Sequence, residues 1–440
     1  MNRTREQLLP ILCHWITFLA HALPRRSVPT LIELVVGALL SRRGWVTEAY
    51  LAIAAQRHWS SYYKWLQQGR WSWLRLGQYL AVLRRCSFTR RVWYLVVDDS
   101  INCRASAQAP SSGQHHHHSR KVNRPTFLQG QCWVMLAAVL SRGRRYCSAI
   151  PLLARLQRTV GNSSKLRAAC VLLRAVGAIF QDCQVRVLLD CWYRRCCVIQ
   201  YAQAWGFAVI GQVRRDTALY AVPVEAVVVG GKRRRGRPRV YGLKYTPERV
   251  AALPERRVRL WLYGKWQWVR YRSAKVKARF LKGQVVRVVW VQFEAEDGTL
   301  GATRVLLATE ADLRPEVILK AYARRWPIEP LFNQLRHSGG WLDAWQQSRQ
   351  VLARWVQIGF VAYALAPLLV LKGGDHLAAL TQLTPWRQDR PVTAGLVRLA
   401  LQRILGQVNL RAWWDPKSRK FQPPAAAEGT ASGPPLAQAA

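Results

Sequence analysis

Acidic residues are few in this chain, and basic residues are many. Of the 440 residues, 23 are Asp or Glu and 67 are Lys or Arg, which leaves a formal net charge of +44 at pH 7. A surplus of this size needs a polyanionic partner or dense counterion screening, and nucleic acid is the usual polyanion. The apolar fraction of 50% is ordinary for a folded protein, and the length leaves room for two or three domains. The composition therefore predicts a folded protein that binds nucleic acid.

Paired cysteine motifs are missing. The ten cysteines contain no Cys-x-x-Cys pair, and several lie inside apolar runs, where small thiols are commonly buried. This pattern argues against a disulfide framework and against a zinc knuckle. The first residues, MNRTREQLLP, lead into a helix-like segment without a small-residue cleavage site. We therefore expect no signal peptide and a reduced, cytoplasmic protein.

Long hydrophobic runs are also rare. Residues 355–371, WVQIGFVAYALAPLLVL, form an apolar run of 17 residues that contains Gln357 and Pro367. A helix that spans a bilayer needs about 20 apolar residues, and an isolated span would be unusual in so basic a chain. We predict a buried core helix here and no membrane association.

The start of the chain is typical of a small helical domain. In residues 1–85, Ser, Thr and Gly divide the sequence into short helical segments, and the third of these carries Lys64 beside several aromatic residues. Helices separated by tight turns suit a DNA-binding domain of the helix-turn-helix kind, with Lys64 as a DNA contact. A plain helical bundle is the alternative.

The rest of the chain changes character several times. In residues 90–215 apolar, strand-like runs alternate with helical segments, which predicts a mixed sheet covered by helices. Residues 216–310 are strand-rich and predict a β-rich insertion in this sheet domain, which resumes at residues 311–375. We expect a C-terminal helical region at residues 376–414 and a disordered tail at residues 415–440, where Pro, Ala, Gly and Ser dominate.

Acids stand at the ends of two predicted strands. The apolar run VWYLVV ends in Asp98 and Asp99, and the run VRVLL ends in Asp190. Strands lying side by side would bring these carboxylates together, and clustered carboxylates stay charged only when cations neutralise them. Hard oxygen ligands favour Mg²⁺ or Mn²⁺, and two such ions about 4 Å apart can activate a hydroxyl at a phosphodiester. On so basic a chain, we expect that phosphodiester to belong to nucleic acid.

A third acid, Glu329, lies in the segment AYARRWPIEPLFNQLR. At 100° per residue, one narrow helix face would hold Tyr322, Arg325, Glu329 and Arg336. Pro327 and Pro330 fit a helix only near its start, so we predict one helix over about residues 315–325, a kink near Trp326, and a second helix with Glu329 in its first turn. The helix dipole favours a carboxylate there. The alternative is a solvated helix face with one acid.

These motifs resemble those of the DDE transposases of bacterial insertion sequences. Their signature is Tyr-x2-Arg-x3-Glu-x6-Lys, and this chain has the same spacing with Arg336 at the last position; RWPIE, DDS and LLD are similar to other motifs of that family. The resemblance covers about residues 90–375 and leaves room for the family's β insertion before the glutamate. It implies an α/β fold: an RNase H-like mixed sheet with helices, interrupted by a β-rich insertion and preceded by a helical N-terminal domain.

The resemblance also implies roles for individual residues. Asp99, Asp190 and Glu329 would be the catalytic residues and would hold two Mg²⁺ or Mn²⁺ ions, with Asp98 as the alternative to Asp99. DNA phosphates near the scissile bond would contact Tyr322, Arg325 and Arg336. Trp326 would stack on an exposed base or else pack in the core. Arginine in place of the family's final lysine keeps the charge but changes the donor geometry.

The implied function is that of a transposase. It would bind double-stranded DNA at the ends of its own element, cleave there, and join the 3′-OH ends to target DNA, acting as a homodimer in the bacterial cytoplasm near the nucleoid. Two alternatives stay open. One is another RNase H-like nuclease that only hydrolyses DNA, and the other is a DNA-binding protein derived from a transposase that does not cut.

Three further segments are possible DNA contacts. The basic loop that contains Arg235, Arg237 and Arg239 matches the AT-hook pattern for the minor groove, with a solvated basic hairpin as the alternative. The four consecutive histidines at 115–118 are expected in a polar loop. Four tryptophans in strand-like segments alternate with arginines, and they either face DNA or form one face of the core: Trp261, Trp266, Trp268 and Trp290.

Overall fold

An eleven-stranded mixed sheet and a helical N-terminal part make up most of the computed structural model. The structure describes residues 2–106, 108–116, 125–143, 146–158, 162–223, 239–373, 377 and 392–423. A mixed sheet covered by helices and preceded by a helical part is the fold class expected from the sequence, and that prediction is confirmed.

The N-terminal part is a packed group of helices. These are α1 (Asn2–Ala20), α2 (Val28–Leu40), α3 (Val46–Leu51), α4 (Trp59–Gln68) and α5 (Trp73–Ser87). Helix α2 is the innermost, because all but three of its 13 residues are buried. Its buried Glu33 accepts a hydrogen bond of 2.9 Å from the hydroxyl of Tyr62 on α4. A buried acid is tolerated in this apolar helix because it has this partner and because the guanidinium of Arg411 lies 3.8 Å from its carboxylate.

The first part of the sheet has an RNase H-like order. Its strands are β1 (Trp93–Cys103), β2 (Ser112–His116), β3 (Phe127–Arg142), β4 (Tyr146–Leu156), β5 (Val185–Leu189) and β6 (Ala208–Val213). Strand β3 is antiparallel to β1, β2 and β4, whereas β5 runs parallel to β1 and β6 runs parallel to β5. Helices α6 (Asn162–Gly177) and α7 (Cys196–Ala204) make the crossovers. Every residue of β5 is buried, as expected for a central parallel strand.

The strand-rich segment at residues 216–310 extends this same sheet. It contains β7 (Leu219–Ala221), α8 (Pro247–Ala251), β8 (Arg256–Leu262), β9 (Lys265–Ala278), β10 (Gln284–Phe293) and β11 (Arg304–Ala308). Strand β11 pairs antiparallel with β6, and β10 and β9 follow outward. The hydrogen-bond ladder is therefore continuous from β1–β6 through β7–β11.

Two helices separated by a break follow the sheet. Helix α9 (Pro315–Ala323) ends in a run of turn residues, and α10 (Ile328–His337) begins after Pro327 with Glu329 in its first turn. The predicted break near Trp326 is confirmed. Its cause is that both prolines lie where helical N–H groups have no intrahelical partner.

Helix α11 (Arg349–Gly373) is the long apolar helix at the centre of the described structure. It packs against α2, α4, α5, β4 and the later helix α12 (Ala394–Leu405). Its length and composition would allow it to cross a membrane, but 78% of its most apolar window is buried inside the protein. Gln357, inside this window, donates to the carbonyl of Leu152 at 3.0 Å. The prediction of a buried core helix is confirmed.

The prediction of a disordered tail from residue 415 onward is wrong for its first residues, which are folded. Strands β12 (Trp414–Asp415) and β13 (Lys420–Phe421) form a small hairpin. The rings of Trp414 and Phe421 pack edge-on in it, with their centroids 5.2 Å apart. The Asp415 carboxylate accepts hydrogen bonds from the backbone of Lys417 and Ser418, which shapes the turn. The ordered stretch is held by aromatic and acidic residues that precede the Pro- and Ala-rich run, and residues 424–440 lie outside the described residues.

Candidate active site

Asp98 and Asp190 lie side by side on one face of the sheet. Strands β1 and β5 run parallel with Val97 paired to Leu189, so the next residue on each chain is one of the two aspartates. Paired positions on neighbouring strands point to the same face. Burial raises the pKa of Asp98, and the negative charge of Asp190 raises it further. The sheet therefore holds two carboxylates that repel each other, which is a setting that favours a bound cation.

The turn after β5 holds Asp190 in place. Its Oδ1 accepts hydrogen bonds from the backbone N–H groups of Trp192 at 2.9 Å and Tyr193 at 2.8 Å. Burial raises the pKa of Asp190, and these hydrogen bonds only partly oppose that rise. An aspartate that ends a strand and accepts N–H groups two and three residues on is typical of a turn that it caps itself.

Glu329 is joined to this pair through Arg325. The guanidinium donates to Asp98 Oδ2 through Nη1 at 2.7 Å and to Glu329 Oε1 through Nη2 at 2.7 Å. The side chains of Arg325 and Asp98 are each 16% exposed, and that of Glu329 is 42% exposed. Burial disfavours the charge of Arg325, but the nearby carboxylates outweigh it, and its pKa is raised. One cation of the protein itself thus binds two of the three carboxylates.

Asp99 lies on the opposite face of β1. Successive side chains of a strand alternate between faces, and the Asp99 carboxylate accepts hydrogen bonds from Lys165 on α6 and Tyr193, each at 2.9 Å. The prediction that Asp99 supplies the first carboxylate of the site does not fit this geometry, which favours Asp98. The reason is that β1 does not end at the acids. It continues to Cys103 against β3, so the alternation runs through both aspartates.

Two more members of the predicted helix face point at the sheet. Tyr322 is buried, and its hydroxyl donates to Oε1 of Gln212 on β6 at 3.3 Å. The half-buried Arg336 donates to the hydroxyl of Ser100 and, at 3.4 Å, to the carbonyl of Ile101 on β1. Ser100 is on the same face of β1 as Asp98, because it follows two residues later. The four side chains predicted for this helix face therefore form one row along the sheet.

Trp326 stands at the mouth of the site. It is 48% exposed, and its ring meets that of Tyr263 edge-on with centroids 6.3 Å apart. Both rings line a cavity of about 340 Å³ that also contains Arg325 and Glu329, and both line a neighbouring cleft of about 740 Å³. The cleft also contains aromatic and basic side chains: Trp261, Trp266, Arg259, Lys320 and Arg324. The core-packing alternative for Trp326 is therefore wrong.

Tyr263 was not predicted as a site residue. It forms, with Gly264, the two-residue turn between β8 and β9, where both residues have positive φ, 53° and 83°. This is the turn geometry that suits a tight hairpin, and it normally favours Asn or Gly at the first position. Tyrosine is uncommon at positive φ, so the surrounding structure must stabilise this conformation. The sequence feature that could have identified Tyr263 is the Tyr-Gly pair between two strand-like runs.

The tryptophans of the strand-rich segment differ in exposure between this hairpin and β10. Trp266 and Trp268 are 44% and 39% exposed, and the guanidinium of Arg257 lies 4.1 Å from the Trp268 ring centroid. Trp290 on β10 instead packs partly buried against the core. The single-core-face alternative is therefore wrong for the hairpin and holds for Trp290.

The remaining predicted DNA contacts are spread over the surface. Lys64 is exposed on α4, and Arg239 is exposed after β7, while Arg235 and Arg237 lie outside the described residues. The polar-loop prediction is wrong for His115, which is 5% exposed and lies in β2. Burial lowers the pKa of His115, and the nearby Lys165 lowers it further. His117 and His118 lie outside the described residues.

The residues present fit a divalent ion in their chemistry. Asp98, Asp190 and Glu329 supply hard carboxylate oxygens. Burial first, and then the negative charge of Asp190, raise the pKa of Asp98, and a bound cation would oppose both effects. Within the described ranges, no group of three or more His, Cys, Asp or Glu side chains is close enough to hold a metal ion. Arg325 bridges Asp98 and Glu329, so in this state it occupies the space between two of the three carboxylates.

Comparison with known proteins identifies a family for the chain. A family described as DDE superfamily endonuclease matches residues 19–275, which is more than half of the chain. The matched residues include Asp98, Asp99 and Asp190 and end before Glu329. No curated protein matches the chain.

Proposed function

Because the chain belongs to the DDE superfamily of endonucleases, whose substrate is DNA, we propose that it is a transposase. It binds the ends of its own element, cleaves the DNA there, and joins the 3′-OH ends to target DNA. Pairing two ends calls for two active sites, so the proposal includes a homodimer assembled on DNA. The observation that carries it is that the row of helix side chains containing Arg325 and Glu329 lies against the paired aspartates through the contact of Arg325 with Asp98. The cavity that contains Arg325 and Glu329 shares two lining residues, Tyr263 and Trp326, with the basic and aromatic cleft.

The proposed metal ligands are Asp98, Asp190 and Glu329. We take the ions to be Mg²⁺ or Mn²⁺, since carboxylates are the hard ligands that these ions prefer. Two such ions, when bound, supply the Lewis acidity that activates the attacking hydroxyl and stabilises the leaving oxygen. The task of the protein is to bring Glu329 to the aspartate pair, and the position of Glu329 in the first turn of α10, bonded to the same arginine as Asp98, supports this role.

Arg325 has a different partner before and after DNA binds. Without DNA it neutralises Asp98 and Glu329. A backbone phosphate is a better match for the fork of a guanidinium, which binds it through two parallel hydrogen bonds. A phosphate near the scissile bond thus draws Arg325 away and frees both carboxylates. DNA binding and completion of the carboxylate site are then one event, so the metal site stays incomplete until a phosphate takes over Arg325.

The DNA path runs along the cleft beside this row. Arg259, Lys320 and Arg324 line it and supply sequence-independent affinity for phosphates. Trp326 and Tyr263 present ring faces or edges where the cleft meets the carboxylates, which suits stacking on a base displaced from the duplex. Tyr322 and Arg336 belong to the same row and would lie beside the phosphates, and Lys64 and Arg239 add DNA contacts farther away.

The test is a cleavage and joining assay with wild type and Glu329→Gln. The substrate is DNA that carries the flanks of the protein's own gene, with Mg²⁺ or Mn²⁺. Metal-dependent nicks at the flanks and joined products, both lost in Glu329→Gln, are expected. Glu248→Gln is the matched control, because Glu248 is also a glutamate in the first turn of a helix but lies on α8.

One competing function is favoured by a specific observation. Arg325 occupies the space between two carboxylates, which also suits a DNA-binding protein that has lost cleavage. In that case wild type and Glu329→Gln bind the element ends equally and neither cuts. Nicks without joined products would instead identify a nuclease that only hydrolyses DNA.

A further inference from the structure

A buried polar cluster lies behind the candidate active site, on the other face of β1. The Asp99 carboxylate is its centre: Oδ1 accepts from the Tyr193 hydroxyl at 2.9 Å, and Oδ2 accepts from Lys165 Nζ at 2.9 Å and from Cys132 Sγ at 3.3 Å. The side chains of Lys165 and Asp99 are 15% and 17% exposed, and Tyr193 is fully buried. The function proposed above leaves this cluster without a role.

The cluster joins four separate elements of the fold. Asp99 belongs to β1, Cys132 to β3, Lys165 to α6, and Tyr193 to the turn between β5 and α7. The ring of Trp192, in that same turn, covers the Lys165 ammonium at 5.0 Å. A charged pair with additional donors, shielded from water, is rigid, because losing any partner leaves a buried polar group unpaired.

Tyr193 connects the cluster to the active site on the other face. Its hydroxyl donates to Asp99, and its backbone N–H donates to Oδ1 of Asp190 at 2.8 Å. Asp99 is in turn the chain neighbour of Asp98, and adjacent residues of a strand are only about 3.3 Å apart. Tyr193 therefore contacts both Asp190, a proposed metal ligand, and Asp99, which directly follows the second proposed ligand, Asp98.

We propose that Asp99 is a positioning residue, which fixes β1 against the β5–α7 turn through Tyr193 and Lys165 and so keeps Asp98 and Asp190 level on the opposite face. This inference rests on the proposed function, since it takes Asp98 and Asp190 as metal ligands. It assigns different tasks to two identical neighbours: Asp98 binds the ion, and Asp99 holds the strand that carries Asp98.

The experiment measures Mn²⁺ binding to the full chain by electron paramagnetic resonance, as both the number of ions bound and their Kd. The variants are Asp98→Asn, Asp99→Asn, Tyr193→Phe and the double variant Asp99→Asn/Tyr193→Phe. Tyr193→Phe removes one hydroxyl and keeps the ring, so it tests the cluster even if Asp99→Asn folds poorly. Tyr201→Phe is the control, because Tyr201 is a half-buried tyrosine on α7 itself.

We expect Asp98→Asn to bind fewer ions than wild type. Asp99→Asn and Tyr193→Phe should keep the number of ions and each raise Kd about 10-fold, which is typical of residues that orient metal ligands. The double variant should raise Kd hardly more than either single one, because both remove the same contact. Tyr201→Phe should match wild type.

Two results would overturn the inference alone. Asp99→Asn could lose an ion while Asp98→Asn keeps both, which would make Asp99 the ligand. Tyr193→Phe could leave the Kd unchanged, which would remove the link between the two faces. If wild type itself binds no Mn²⁺ with or without DNA, the proposed function fails, and the inference fails with it.

Discussion

The two faces of β1 treat neighbouring aspartates in opposite ways. On one face, Asp98 is bound by Arg325, which also reaches the half-exposed Glu329 beside an open cavity. On the other face, Asp99 is enclosed by Lys165, Tyr193 and Cys132. On the Asp98 face, the cation is Arg325, which a metal ion can replace. On the Asp99 face, the cation is Lys165, and its loss would leave the Asp99 carboxylate buried without a counter-charge. Of the two faces, only the Asp98 face can therefore exchange its cation for a metal ion and support catalysis.

Removing the cation that pairs with Asp99 should cause the largest loss in the free energy of unfolding. Lys165→Met leaves the buried Asp99 carboxylate without its cation, which typically costs about 3 kcal/mol in the free energy of unfolding. Urea unfolding of the variant measures this loss. Adding Asp99→Asn should restore part of the stability, because the uncompensated charge is then gone. Lys265→Met, at an exposed position on β9, is the control, and equal losses in both lysine variants would contradict the account.

Removing an aromatic ring from the open face should affect DNA binding instead of folding. Trp326→Ala is expected to weaken binding to DNA ends by about 2 kcal/mol, the size of one base–aromatic stack. Its Tm should stay close to that of wild type, because Trp326 is 48% exposed. Fluorescence anisotropy with labelled DNA measures the affinity. Trp345→Ala, at another exposed tryptophan (61%), should leave the affinity unchanged, and a similar loss there would argue against a specific stack.

Replacing Arg325 should raise the affinity of the Asp98 face for a metal ion. Arg325→Gln frees Asp98 and Glu329, so the DNA-free protein should bind Mn²⁺ about 10-fold more tightly, a change of about 1.4 kcal/mol. Cleavage should nevertheless fall, because the phosphate loses its bidentate partner. Calorimetric titration with Mn²⁺ measures the first effect. Weaker Mn²⁺ binding in Arg325→Gln would show that the arginine does not compete with the ion.

Glu294, which directly follows β10, is a carboxylate that pairs with arginines but lies outside the candidate active site. It accepts hydrogen bonds from Arg257 and Arg270, and Arg257 above all lowers its pKa to about 2. Its stabilising contribution is therefore complete above the unfolded pKa of about 4.3 and is lost as pH falls from there toward 2. Tm of Glu294→Gln should fall less steeply than that of wild type over this range, with cleavage unaffected. Parallel Tm curves would contradict the assignment.

Sequence patterns were sufficient for the parts of the site that local rules determine. The buried run before Asp190 identifies a central strand, and the proline positions around Glu329 identify a helix that restarts there. Each of these depends on residues only a few positions apart. The alternation of strand-like and helical runs predicts a mixed sheet covered by helices, whereas its RNase H-like order was implied by the resemblance to the DDE transposases.

Contacts between distant parts of the chain decided the rest. Which of Asp98 and Asp99 faces Glu329 depends on β1 continuing to Cys103 against β3, and an apolar run that stops at the acids does not contain that information. Lys165 meets Asp99 across 66 residues, and Arg325 meets Asp98 across 227. Local periodicity cannot predict such pairs, because they are set by how the strands are ordered in the sheet.

The most direct test of the account compares metal-dependent cleavage of element-end DNA by Asp98→Asn and Asp99→Asn. Loss of a metal ligand should reduce cleavage by Asp98→Asn about 1,000-fold or more, while Asp99→Asn should lose about 10- to 100-fold and lose more stability. Equal DNA affinity in both variants would confirm that the defect lies in the chemistry. If Asp99→Asn is inactive and folded while Asp98→Asn still cuts, the assignment of the two faces is reversed.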